Sequence, residues 1–215
     1  LDLLNGISRR GGHRVGVVLF AARAKIASPL TTDYDHVRAI LEEIDGEHLP
    51  PEIRPTSSSA VPSGTRIGVG LAAAVRAHDL RFPGFQDIVL ISDGDDPVDD
   101  KEWRIGTAEA NKAGIPIFTV GLGNPDVVTP LKLGMDDVGT QLNEAPLRQI
   151  AEETRGQYIA ARTHVPRLGE FFQANLEPLP SRDVSDESIP LPKERYPWFL
   201  GAALVLFAIV WLRGR

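Results

Sequence analysis

Two oxygen-bearing side chains stand where this sequence could hold a metal. Asp93 follows the apolar run 88–91 after the single residue Ser92 and opens the acidic turn Asp93-Gly94-Asp95-Asp96-Pro97, while Thr65 follows Ser63-Gly64 and leads into an alanine-rich apolar stretch. A strand ending at Asp93 and a helix opened by Thr65 would bring both residues to one edge of a sheet, beyond the carboxyl ends of the strands where open α/β sheets bind ligands. A hydroxyl and a carboxylate are hard donors, suited to Mg²⁺ or Mn²⁺ and unsuited to soft metals. Each residue also has a plainer reading: Thr65 caps its helix, and Asp93 builds a turn.

Other chemistry is less well supplied. The chain has no cysteine, which removes disulfides, thiolate metal sites and thiol nucleophiles together. His13, His36, His48, His78 and His164 lack the spacing of a zinc helix. The glycines of 119–125 (TVGLGNP) have no Gly-Lys-Ser/Thr ending and read as a turn at a strand end. The acidic run 93–100 would suit an aspartyl nucleophile only with a lysine or a second acidic pair in support, and none stands at a suggestive spacing. No catalytic residue is therefore expected, with a Mg²⁺-dependent phosphoester hydrolase using Asp93 or Asp95 as the alternative.

The elements that would position Thr65 and Asp93 can be read from periodicity. Residues 14–20 and 24–29 are apolar runs joined by small residues, which predicts a hairpin whose first strand is buried on both faces. Asp33 caps a helix in which Val37, Ile40, Leu41 and Ile44 form one stripe. Residues 46–64, rich in proline, serine and glycine, are a loop. Thr65 opens a helix marked by Ile67, Leu71 and Val75, and 87–92 is a buried strand. Residues 100–113 form a helix ended by Gly114, 116–123 a strand, 144–155 a helix stopped by Gly156, and 157–161 a last strand before a short helix with Leu168, Phe171 and Phe172. Strands alternating with helices imply an α/β fold, a doubly wound and mostly parallel sheet covered on both faces.

The 215 residues, 42% hydrophobic and 24% charged, suit one globular domain with appendages. Net charge is −6, and the first 195 residues are more acidic still because Arg213 and Arg215 stand at the far end, which argues against nucleic acid as partner. From Pro197 to Leu212 no residue is charged. At ~1.5 Å per residue this run reaches about 24 Å, and with Tyr196, Trp198 and Trp211 at its ends it reads as a short membrane span. The predicted organisation is a domain over 1–176, an acidic, proline-rich linker over 177–195, a transmembrane helix over 196–212 and a basic tail over 213–215. With no methionine or leader at Leu1, the natural N-terminus is expected to lie upstream.

The segments SGTRIGVGL (63–71), DIVLISDGDD (87–96), GIPIFTVGLG (114–123) and LNEAPLRQIAEETRGQYIAA (142–161) resemble a von Willebrand factor type A domain. The likeness is nearest to the membrane-anchored bacterial kind of the Bat (aerotolerance) operons, where an acidic linker also runs into an aromatic-rich span, here ERYPWFL (194–200). The resemblance implies a non-enzymatic module for protein–protein interaction. It implies a metal-ion-dependent adhesion site that takes a threonine from a second loop and an aspartate after the fourth strand, which Thr65 and Asp93 match. The ion would accept a carboxylate of a protein partner as its last ligand. The family's Asp-x-Ser-x-Ser loop follows a first, central strand, and this sequence has neither. Both are expected upstream of Leu1, so the fold is read as lacking that strand and Mg²⁺ or Mn²⁺ binding as weak or absent in this chain. A structural component with a decayed metal site is a further alternative. The resemblance places the domain outside the cytoplasm, on a bacterial inner membrane.

Overall fold

The structure, a computed structural model, describes residues 1–44, 50, 52–53, 65–79, 81, 83–95, 101–133, 136–162, 166–180, 211, 213 and 214. The chain divides into two units, Leu1–Arg182 and Asp183–Arg215. Most of the second lies outside the described residues, including the predicted span except Trp211. Among the described residues no helix is long and apolar enough to cross a membrane.

The first unit begins with helix α1 (Asp2–Arg10), followed by strands β1 (Val15–Phe20) and β2 (Ala24–Thr31), which pair antiparallel as the expected hairpin. Helix α2 (Tyr34–Glu43) starts where Asp33 Oδ1 accepts from His36 N–H at 3.0 Å, the cap read from the sequence, and Val37 on its stripe is fully buried. The predicted loop 46–64 falls almost wholly outside the described residues. Helix α3 (Ile67–Ala77) leads to strand β3 (Ile88–Ser92), then come helix α4 (Trp103–Ala113) and strand β4 (Ile117–Leu122). A second hairpin, β5 (Thr129–Leu133) with β6 (Asp136–Thr140), precedes helix α5 (Glu144–Glu153) and strand β7 (Tyr158–Arg162). Helix α6 (Leu168–Phe171) continues into one π-helical turn over Phe172–Leu176.

Strands β3, β4 and β7 form a parallel sheet with β4 in the middle, where five of six residues are buried. Alternation decides what each face meets. Ile88, Leu90 and Ile117 join Ile67, Leu71 and Val75 of α3, Trp103 and Ala110 of α4, and Leu147 and Ile150 of α5 in one apolar cluster. Phe118 points the other way and meets Phe171 of α6 edge-on at 5.6 Å. α1 lies with α6, because Gly169 N–H donates to Asp2 Oδ2 at 2.8 Å, and Arg38 of α2 donates to Asn5 of α1 at 2.6 Å. Helices thus cover both faces of the sheet, and the α/β class is observed.

Three details differ from the sequence reading. β1 is half-buried rather than buried on both faces, and Ile91 of β3 remains 44% exposed. The reason is shared: among the described residues β1 pairs only with β2 and β3 only with β4, so each keeps an unpaired edge. The helix expected over 144–155 ends two residues sooner, at Glu153. Arg155 takes the left-handed conformation at φ 63°, and its N–H bonds Glu152 O while Gly156 N–H bonds Ala151 O, a Schellman ending. Gly156 serves packing instead, since a Cβ there would collide with Ile117 O. Finally, α3 starts at Ile67 with Arg66 as its N-cap, so Thr65 lies before the cap.

Candidate functional site

The chain turns back between helix α3 and strand β3. Its C-terminal neighbour His78 places Nε2 3.3 Å from Asp87 O, at the entry of β3, while Nδ1 lies 2.6 Å from Ala74 O. From 65 to 78 a helical rise of ~1.5 Å per residue covers about 20 Å, and from 87 to 93 a strand rise of ~3.3 Å covers about the same. These similar lengths would carry Thr65 toward the carboxyl end of β3, where Asp93 stands. The turn after β1 lies at this edge too, because Arg66 N–H donates to Ala21 O at 2.9 Å, and Gly70 lets α3 close on Phe20, whose ring a Cβ would meet at 2.6 Å.

Each candidate ligand is held by its own chain segment. Asp93 Oδ1 accepts from Asp95 N–H at 3.2 Å, and Gly94 N–H donates to Ser92 Oγ at 3.0 Å, so the carboxylate does build the turn that the plainer reading assigned to it. Asp93 O also accepts from Asn143 N–H at 2.8 Å, and Gly94, at φ 73°, sits where a Cβ would collide with Asn143 O. Asn143 in turn caps α5 through Oδ1, which accepts from Ala145 N–H at 3.3 Å. Thr65 is half-buried and does not cap α3. The second residue of that helix, Gly68, donates its N–H to Glu102 Oε1 at 2.8 Å.

Sequence reasoning missed Asn143 and Glu102. Asn143 was legible as an N-cap type before an amphipathic helix; Glu102, from 34 residues beyond Gly68, carried no local signal except the odd placement of glycine in the first turn of a helix. At the other end of β3, burial pushes the Asp87 carboxyl up to about 6, against the weaker pull of His78.

The donor set matches the chemistry of a hard divalent ion in type but not in number. Hydroxyl and carboxylate oxygens suit Mg²⁺ or Mn²⁺, yet an octahedral shell takes about six oxygens, and two side chains supply at most a part of it. Among the described residues no group of three or more His, Asp or Glu side chains could hold a metal.

The family model of the von Willebrand factor type A domain matches residues 1–174. Among solved structures, the chain is similar to BatB from Bacteroides thetaiotaomicron, a conserved hypothetical protein (22% identity, TM-score 0.60, 81% of this chain and 82% of that one). It is also similar to an aerotolerance-related membrane protein from Bacteroides fragilis NCTC 9343 carrying multiple mutations to serine (25% identity, TM-score 0.61, 86% and 84%). A von Willebrand factor type A protein from Catenulispora acidiphila shares the fold at 15% identity (TM-score 0.52, 80% and 34%). No curated protein matches the chain. Match and topology agree over the parallel sheet and its helices, and the likeness to Bat proteins read from 63–71, 87–96, 114–123 and 142–161 holds: the chain belongs to the von Willebrand factor type A domain family.

Proposed function

We propose that this domain is a membrane-tethered, non-enzymatic module that captures a protein partner at the carboxyl edge of its sheet through a divalent ion. In the complete protein Thr65 and Asp93 would supply part of the shell of Mg²⁺ or Mn²⁺, and the ion would offer an open position to a carboxylate of the partner. What supports the reading is the His78–Asp87 contact, which turns the chain back between α3 and β3, so that similar lengths of helix and strand would carry Thr65 and Asp93 toward one edge. The uncharged run Pro197–Leu212 would provide the tether, with the domain outside the cytoplasm of a bacterial cell. The similar membrane protein of Bacteroides fragilis supports the membrane tether.

The chain's own residues do the positioning. Asn143 and Gly94 pin the backbone of Asp93, while Arg66 anchors the Thr65 segment to the turn after β1. Titration of the full chain in detergent with Mn²⁺, read by calorimetry, tests the assignment. Thr65→Ala and Asp93→Ala should each weaken Mn²⁺ binding about tenfold or more, roughly the ~1.4 kcal/mol of one lost oxygen contact. The metal-free melting temperature should stay within a few degrees, since neither side chain belongs to the core cluster. Unchanged Mn²⁺ affinity in both variants would mean that the site is not a metal site and that the domain works through its surfaces alone.

A further inference from the structure

The first turn of a helix leaves amide groups without intrahelical partners, and a local side chain commonly takes one of them. In α3 none does among the described residues: Arg66 offers no side-chain cap, and the acceptor arrives from the start of α4 as Glu102 Oε1. The Glu102 side chain is 12% exposed, with Arg66 Nε 3.8 Å away. A carboxylate withdrawn from water needs compensation, and here the amide, the guanidinium and the positive end of α3 share that task. The fit leaves no slack. A Cβ on Gly68 would collide with Glu102, and one on Gly106 would lie 2.7 Å from Leu71 Cβ and 2.8 Å from Gly68 O. Lys101, next to Glu102, holds the left-handed region at φ 56°, a conformation that persists only where surrounding contacts outweigh its cost.

These contacts join two stretches of chain that bear on the candidate site: the arm carrying Thr65 into α3, and the segment that enters α4 after the Asp93 turn. We propose that Glu102 is a positioning residue for the carboxyl edge, its carboxylate fixing the first turn of α3 and, with it, the Thr65 arm. The hold on α3 stands on the hydrogen bond and the close packing; its consequence for an ion rests on the metal reading above.

Residue-resolved amide hydrogen exchange on the full chain in detergent micelles tests the hold. In Glu102→Ala the Gly68 N–H should exchange at least about tenfold faster, while Ile117 and Val120 of the central strand stay within about twofold of the parent. Glu102→Gln, which keeps an acceptor oxygen, should stay within about threefold at Gly68. Mn²⁺ added as a paramagnetic probe should broaden the amides of both Arg66 and Gly94 in the parent, but only Gly94 in Glu102→Ala. Unchanged exchange at Gly68 in Glu102→Ala would overturn the proposal, and so would acceleration spread equally over β4, which would mark a general loss of stability. If Mn²⁺ broadens neither amide in the parent while the exchange pattern holds, the metal reading fails and the positioning of α3 by Glu102 stands.

Discussion

Asp87 and Asp93 bracket the same strand and meet opposite surroundings. Asp93 sits in a hydrogen-bonded turn, whereas Asp87 enters the sheet under helix α3, where burial raises its carboxyl to about 6 from an ordinary 3.8. A carboxyl with a raised folded pKa favours the fold while protonated. Its contribution is complete below about pH 4 and is lost as pH rises through about 6. Asp87→Asn should therefore be more stable than the parent at pH 7.5 by about 1–2 kcal/mol, a value reduced for partial solvent screening, and equal to it near pH 4. Urea unfolding at the two pH values measures this, and equal stability at pH 7.5 would show that the ionised form is compensated in place. At this scale the sequence was informative about Thr65 and Asp93 because each stands at the end of an apolar run. Glu102 was illegible because its partner, Gly68, is brought to it only by the packing of α3 on α4.

Helix limits followed local chemistry wherever the cap was local. Asp33 before α2 and Gly114 after α4, at φ 69°, do what their types suggest. α5 departs because its left-handed position is taken by Arg155, with glycine displaced to the next residue by contact with β4. Arg155→Gly should remove the steric cost of a left-handed L-residue, about 1–2 kcal/mol, and add about 0.5–1 kcal/mol of unfolded-state entropy. The net gain of about 0.5–1 kcal/mol would show as a higher thermal midpoint by circular dichroism, and a lower midpoint would mean that the Arg155 side chain contributes more than its backbone costs. The β5–β6 hairpin was missed because the alternation of Leu131, Leu133 and Met135 is short and is broken up by Pro130, Gly134, Gly139 and two acids, which read as a loop.

For the whole molecule, the alternation of strands and helices was enough to name the fold class, and the order of motifs enough to suggest the family. Pairing between distant strands was not legible, because a parallel neighbour is chosen by the whole sheet and leaves no mark on either strand alone. The hairpin β1–β2 and the sheet β3–β4–β7 share no ladder among the described residues, and α3 packs on both. The proposed tether gives a prediction at this scale: carbonate washing of membranes should leave the full chain in the pellet, while a chain ending at Arg182 should be released. Recovery of the full chain in the wash would remove the span from the account.

The pairing of the first and last helices has a mechanical consequence. Asp2 bonds Gly169, His13 meets the Phe172 ring edge-on at 5.4 Å, and Arg10 reaches Glu177 at 2.9 Å, so α1 and the α6 segment lie side by side in the same direction. A pull entering through residue 180 loads these contacts one after another, beginning with the partly exposed Arg10–Glu177 pair, which offers little resistance. Peeling residues 168–180 from helical to extended form would lengthen the chain by about 2 Å per residue, roughly 25 Å in all. A domain held by a partner at the carboxyl edge and by a membrane at this end would thus yield at its last helix while the sheet stays intact, as a spring in series with its tether.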